Sequence, residues 1–110
     1  MKTEPDFGLN PKTLAKIQSV FQAYPEIDKA VIYGSRAMGN YRYNSDIDLT
    51  LYGKKLGLSE LLRIENELDD LLLPYKIDLS IFHQIDNQDL VKHIQEHGKQ
   101  LFSKKLVSEI

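Results

Sequence analysis

Residues 33 to 49 read YGSRAMGNYRYNSDIDL and connect two apolar segments that we predict to be strands. The first segment stops at Gly34 and Ser35, where the start of a helix would leave backbone N–H groups unpaired and add its positive end. The second opens with Asp46 and Asp48, and alternate residues of a strand point to one face, about 6.5–7 Å apart. Asp is depleted in strands, so this alternation favours a functional reason. The stretch predicts an anion-binding turn beside two carboxylates that bind divalent metal ions.

The anion-binding turn and the two carboxylates are the smallest set of groups that can bind a nucleoside triphosphate together with magnesium. Backbone N–H groups bind phosphate oxygens, and carboxylates bind the metal. The simpler alternative is a loop in which Gly34 serves a turn and Asp46 caps or solubilises the start of a strand.

Composition limits the class of protein. The chain has 110 residues, 42% of them hydrophobic and 27% charged, which is typical of one soluble domain. Its net charge of −2 gives no basic excess, so we expect no direct binding of nucleic acid. The absence of cysteine excludes disulfides and thiolate metal sites. Because the start lacks the apolar core of a signal peptide and no apolar run approaches about 18 residues, we expect a cytoplasmic protein without a membrane segment.

Apolar periodicity predicts three long helices and three strands. The first helix follows the capping pair Asn10-Pro11 and stops before Pro25. The other elements are strands at 29–33, 46–52 and 75–82 and helices at 59–73 and 88–97, with a short helix from about Arg36. The helix at 59–73 has a predicted buried stripe of Leu61, Ile64, Leu68, Leu71 and Leu72. Leu101 and Phe102 are expected to pack back on the core.

The connections between the strands predict the topology. The short link between the first two strands makes them antiparallel, whereas the helix between the second and third makes those parallel. We therefore expect an α+β, sandwich-like fold with a small mixed sheet of three or more strands against about four helices. This domain would cover residues 10–102, with a loose N-terminal tail at 1–9 and a C-terminal tail at 103–110.

The third predicted strand carries a further acid, Asp78. It alternates with Ile77 and Leu79, so it leaves the apolar face and joins the first two acids at one edge of the sheet. The simpler interpretation is a surface acid near the end of a strand.

These motifs resemble a known family. Gly34-Ser35, ten intervening residues and Asp46-Ile47-Asp48 are similar to the nucleotidyltransferase signature of the DNA polymerase beta superfamily. The form GSRAxG followed by SDIDL resembles its smallest branch, the minimal nucleotidyltransferases, which include MntA-type antitoxins paired with HEPN-domain toxins. The resemblance extends over about residues 10 to 102 and implies the nucleotidyltransferase fold.

The resemblance also implies roles for individual residues. Metal ligands and catalytic residues would be Asp46, Asp48 and Asp78, which would hold two Mg²⁺ ions. Asp78 would also orient or deprotonate the attacking hydroxyl. Residues that hold the triphosphate of ATP would be Gly34, Ser35, Arg36 and Ser45. Arg36 on a polar loop is equally well explained as a solvated side chain, and Ser45 as a cap of the loop.

By the same resemblance, the preferred hypothesis is an antitoxin that transfers AMP from ATP to a tyrosine hydroxyl of a partner HEPN-domain toxin. One alternative is transfer to a small hydroxylated molecule. Another is a non-catalytic module that masks its partner. The sequence leaves the base preference open, as it does the choice between a homodimer and a hetero-oligomer.

Other polar residues carry weaker signals. His93 and His97 are spaced i, i+4 on a predicted helix, which suits zinc, but no third ligand is evident and we expect surface side chains. Arg42 is expected to be solvated. Tyr41 and Tyr43 either stack on a base, form a surface for a partner, or are half-buried residues of the loop, and we favour the last interpretation.

Overall fold

The chain folds around one four-stranded sheet. The structure is a computed structural model that describes residues 6–104. Its elements are α1 (Pro11–Gln22), β1 (Lys29–Tyr33), α2 (Ser35–Met38), β2 (Ile47–Tyr52), α3 (Leu58–Asp70), β3 (Ile77–Ile81), a 3-10 turn (Phe82–Gln84), α4 (Gln88–His97) and β4 (Lys99–Ser103). The strands lie in the order β3-β2-β1-β4. The predicted fold class is confirmed.

The sheet is mixed. β1 pairs antiparallel with β2 and with β4, and β2 pairs parallel with β3. Both predicted strand directions are therefore confirmed. β4 was not predicted as a strand because it is a short edge strand in which Lys99 and Gln100 are exposed. Leu101 and Phe102 pack on the core as expected.

Capping residues explain the ends of the helices. Asn10 accepts a hydrogen bond from the Lys12 N–H at the start of α1, and Asn87 accepts one from the Leu90 N–H at the start of α4.

α3 ends at Asp70, earlier than predicted. Leu72 therefore lies beyond the helix, with a φ of 56° and 87% exposure, and its assignment to the buried stripe is wrong.

The two faces of the sheet differ in composition. α1 and α3 pack on one face, which we call the helical face, and they bury Phe21 and Ile64 against Ile32 and Leu49. The opposite face, which we call the acidic face, carries alternate residues of three strands: Val31, Tyr33, Asp48, Thr50, Asp78 and Ser80. α4 packs on the β1 side of this face, where Ile94 meets Val31 and Tyr33. Asp78 remains exposed.

The packed part of the chain begins earlier than the sequence suggested. Phe7 and Leu9, which the sequence pattern assigned to a loose tail, are 6% and 2% exposed and belong to the main core. At the other end, β4 includes Ser103. The rest of the predicted tails, residues 1–5 and 105–110, lie outside the described residues. Within residues 6–104, no helix has both the length and the apolar character needed to cross a membrane.

Candidate active site

Gly34 forms the turn between β1 and α2. Its φ is 76° and its ψ is −155°, a backbone conformation that residues other than glycine rarely adopt. A Cβ at this position would also lie 2.5 Å from Oδ2 of Asp48. Glycine is therefore required both for the backbone conformation and for the close approach of the carboxylate. The predicted anion-binding turn and the second acid of the motif are in contact.

The helix that follows the turn is short. α2 contains four residues, and the Gly34 carbonyl accepts hydrogen bonds from the N–H groups of Ala37 and Met38, both at 3.1 Å. A single turn aligns few peptide dipoles, so the positive helix end expected from the sequence contributes little. Attraction of an anion to this turn depends on the backbone N–H groups and on the Ser35 hydroxyl.

The strand register places Asp48 at the centre of the site. It pairs with Tyr33 of β1 on one side and with Asp78 of β3 on the other. Neighbouring strands lie about 4.8 Å apart, so the side chains of Asp48 and Asp78 are adjacent on the acidic face. Asp46 lies one residue before β2 and is exposed.

The acids interact electrostatically. Burial raises the pKa of Asp48 above its ordinary value, and the nearby charges of Asp78 and Asp46 raise it further. Burial also raises the pKa of Tyr33, and the charges of Asp48 and Asp78 raise it further. The strand register therefore places Asp48 beside Asp78, and the charge of Asp46 also reaches Asp48.

The donor set fits magnesium bound together with a phosphate group. No group of three or more His, Cys, Asp or Glu side chains within residues 6–104 is arranged to hold a metal ion by itself. Mg²⁺, however, is commonly bound by one or two carboxylates together with waters and substrate phosphates. A partly buried carboxylate that is repelled by its neighbours also gains from a nearby cation. The acids fit a metal that arrives with its nucleotide.

Arg36 does not occupy the predicted phosphate-binding role. Its side chain is 2% exposed, and its guanidinium donates hydrogen bonds to the carbonyls of Phe7 (2.8 Å), Tyr43 (3.1 Å) and Ser45 (3.0 and 3.2 Å). These contacts engage its donors inside the protein, so the prediction that Arg36 holds the triphosphate is not supported. Arg36 instead fixes the loop immediately before Asp46.

Two aromatic rings complete the environment of Arg36. The guanidinium carbon lies 5.2 Å from the centre of the Tyr41 ring and 4.9 Å from that of Tyr75. Such contacts stabilise a buried cation. Because Tyr75 lies two residues before β3, Arg36 links the segments that lead to Asp46 and to Asp78.

The loop residues mostly serve the loop itself. The Ser45 hydroxyl accepts a hydrogen bond from the Arg42 N–H at 2.8 Å, and the Ser45 N–H donates to the Arg42 carbonyl at 3.0 Å. This geometry matches the capping interpretation of Ser45. Tyr43 is 87% exposed, so the expectation that it is half-buried is wrong, whereas Tyr41 covers Arg36.

His93 is the site residue that sequence reasoning missed. Its Nε2 accepts a hydrogen bond from the Gly34 N–H at 3.2 Å, and its ring packs edge-on against Tyr33. The i, i+4 spacing suggests a metal pair with His97. His93 also follows Leu90 at a spacing of i, i+3, and this second spacing determines where its ring lies. That spacing places His93 on the side of α4 that faces the sheet. His97 is exposed, and its ring centre lies 5.3 Å from that of His93.

Comparison with known proteins shows the family and the fold of the chain. The sequence profile of the family "Polymerase beta, Nucleotidyltransferase" matches residues 15–106. A crystal structure of a toxin–antitoxin complex with AMP-PNP has a chain similar in fold, with a TM-score of 0.66 and 22% identity over 88% of this chain and 76% of that chain. No curated protein sequence matches significantly.

Two further solved structures share the fold. One is the toxin–antitoxin complex MntA-HepT, with a TM-score of 0.64 and 20% identity over 86% of this chain and 74% of that chain. The other is a tri-AMPylated HEPN toxin of Shewanella oneidensis in complex with an MNT antitoxin, with a TM-score of 0.64 and 18% identity over 87% and 74% of the two chains. The profile match covers most of the sequence, and the chain belongs to the polymerase beta nucleotidyltransferase family.

Proposed function

We propose that this chain is a magnesium-dependent adenylyltransferase that moves AMP from ATP to a tyrosine hydroxyl of a HEPN-domain toxin and thereby acts as its antitoxin. The observation that carries the proposal is the contact between Gly34 and Asp48. It joins the turn suited to phosphate with the carboxylate suited to the metal. The choice of acceptor is supported by the similarity in fold to an MNT antitoxin in complex with an AMPylated HEPN toxin.

Different residues of the site have different roles in the transfer of AMP. The Gly34-Ser35 turn binds the triphosphate, and Asp46, Asp48 and Asp78 hold magnesium. The bound metal would neutralise phosphate charge and stabilise the entering and leaving oxygens. The turn and the acids together align the α-phosphorus with the incoming hydroxyl, and such alignment supplies much of the rate of phosphate transfers.

Asp78 is the residue best suited to meet the acceptor. It is exposed on β3, at the edge of the sheet, and it lies beside Asp48. In the proposed step the hydroxyl oxygen forms a bond to the α-phosphorus, and the bond from that phosphorus to the pyrophosphate oxygen breaks. Asp78 orients the hydroxyl and accepts its proton, and pyrophosphate leaves.

The acceptor is expected to come from another protein. Residues 6–104 form one sheet with its helices, and they contain no second module that would recognise a substrate. A partner chain that supplies its own tyrosine would provide both the acceptor and the remaining wall of the site.

Intact-mass measurement of a HEPN-domain partner tests the proposal. The partner is incubated with this chain, Mg²⁺ and ATP, and we expect a mass gain of one or more AMP groups. Asp48→Asn should abolish the gain, whereas Asp70→Asn, at the end of α3, is the matched control that should leave it unchanged. A gain that persists in Asp48→Asn would contradict the proposal.

The same experiment separates the alternatives. A stable complex without a mass gain would favour a module that masks its partner. Pyrophosphate release with a small hydroxylated acceptor, in the absence of protein modification, would favour a small-molecule transferase.

A further inference from the structure

A contact from a distant helix reaches the catalytic turn. The Gly34 N–H donates to Nε2 of His93, 59 positions later in the sequence. An imidazole nitrogen that accepts a hydrogen bond carries no proton, so the ring must be neutral with its hydrogen on Nδ1. The hydrogen bond therefore specifies one tautomer of His93.

Gly34 is held on two sides. His93 accepts its N–H group, and the Asp48 carboxylate approaches its Cα so closely that no Cβ would fit. The two contacts restrict both the rotation of the peptide before Gly34 and the position of its Cα. Gly34 lies directly before Ser35, so the same restriction helps to position the peptide that carries the Ser35 N–H.

His93 itself is well anchored. Its ring centre lies 6.1 Å from that of Tyr33 with the planes 76° apart, an edge-to-face arrangement. The next residue, Ile94, is 2% exposed and packs against Val31 and Tyr33. The helix therefore holds the imidazole at a fixed place relative to the end of β1.

We propose that His93 is a positioning residue that holds the Gly34-Ser35 turn in the orientation that receives the triphosphate. Its role toward the nucleotide rests on the proposed function, whereas its role toward the turn depends only on this chain. His93 acts through Gly34 and supplies a hydrogen-bond acceptor. His97, one helical turn later and exposed, provides a matched control on the same helix.

The first test observes the hydrogen bond directly and needs no nucleotide. In long-range ¹H–¹⁵N spectra of the wild-type chain, the His93 ring should show an unprotonated Nε2 and a protonated Nδ1. The Gly34 amide resonance should move in His93→Ala and stay in place in His97→Ala. The opposite tautomer, or a Gly34 resonance that is the same in His93→Ala, would overturn the proposal.

The second test measures affinity for a non-hydrolysable ATP analogue in the presence of Mg²⁺. We expect His93→Ala to weaken binding about tenfold, the order of effect of losing one hydrogen bond that orders a site. His93→Gln should recover most of the affinity because its amide oxygen can accept the Gly34 N–H. His97→Ala should bind as the wild type does. Thermal unfolding of each variant separates a local effect from loss of the fold.

The outcomes of the second test distinguish the roles. A His93→Gln variant that folds but binds as weakly as His93→Ala would overturn an acceptor role. Unchanged affinity in His93→Ala would overturn any positioning role toward the nucleotide. If the wild-type chain binds no nucleotide, the proposed function fails, and the spectra still decide whether His93 holds the turn.

Discussion

The two faces of the sheet use the same strands for opposite purposes. On the helical face, Phe21 and Ile64 are fully buried against apolar residues of β1 and β2. On the acidic face, the second buried cluster contains only Val31, Tyr33 and Ile94 among the described residues. Alternate residues of one strand therefore belong either to the core or to the site.

The difference between the two faces shows which face stabilises the fold and which face contains groups that destabilise it. The helical face removes large apolar side chains from water, which is the main favourable term in folding. The acidic face holds a partly buried carboxylate with a raised pKa at Asp48. It also buries Thr50 fully, and Ser80 compensates by donating a hydrogen bond to its hydroxyl at 2.9 Å.

The largest expected effect is on the free energy of unfolding, when one phenylalanine on each face is replaced by alanine. Phe21→Ala should lower the free energy of unfolding by about 3–5 kcal/mol because it empties a fully buried site. Phe82→Ala removes a partly buried ring stacked on Tyr52 at 4.4 Å, and should cost about 1–1.5 kcal/mol. Urea unfolding measures both variants. Equal losses would mean that the two faces contribute alike.

The next prediction concerns the buried cation that supports the acidic face. Arg36→Met should lower the free energy of unfolding by about 2–3 kcal/mol because the carbonyls of Phe7, Tyr43 and Ser45 lose a shared charged donor. Arg36→Lys should recover only part of this loss, since one ammonium group cannot replace the planar fork. Chemical denaturation of the two variants checks the order. Full recovery in Arg36→Lys would show that charge alone is sufficient.

Local patterns in the sequence predicted the framework well. The bounds of β1 and α4 follow the predicted ones because each is set by nearby residues: an apolar run that stops at Gly34 in β1, and a cap at Asn87 with a stop at Gly98 in α4. Asp48 lies on the acidic face as predicted because a strand alternates by geometry alone, whereas Asp46 lies one residue before β2. Short-range rules were sufficient wherever the determining contacts were short-range.

Long-range polar contacts could not be predicted in the same way. Arg36 was assigned to phosphate because its motif lies beside the turn, but its partners include Phe7 and Tyr75, far away in sequence. His93 contacts Gly34 only because α4 packs across β1. In both cases the side chain alone allows several partners, and tertiary packing selects one.

A smaller effect compares two glycines that flank α2. Gly39 has a φ of 86° and open space where a Cβ would lie, so Gly39→Ala should cost about 1 kcal/mol from backbone strain. Gly34→Ala adds a collision with Asp48, and should cost about 2 kcal/mol. Thermal unfolding measures the stabilities, and analogue binding should be weakened only in Gly34→Ala. Equal behaviour of the two variants would show that the close approach of Asp48 has no consequence.

The smallest expected effect is the pH dependence of stability that Asp48 introduces. Its pKa is raised from the ordinary value of 3.8, first by burial and then by Asp78 and Asp46. Between the ordinary and the raised pKa the folded state binds more protons than the unfolded state, so the free energy of unfolding falls as the pH rises. Asp48→Asn removes this penalty, and should therefore be more stable than the wild type at neutral pH.

The stability difference between the wild type and Asp48→Asn should shrink as the pH falls and disappear well below pH 3.8, where the carboxyl group is protonated in both states. Asp70→Asn, exposed at the end of α3, serves as the control and should follow the wild-type curve. Urea unfolding across this pH range measures all three proteins. Parallel curves for the wild type and Asp48→Asn would mean that Asp48 costs the fold nothing. The acidic face would then owe its lower stability to its small apolar cluster alone.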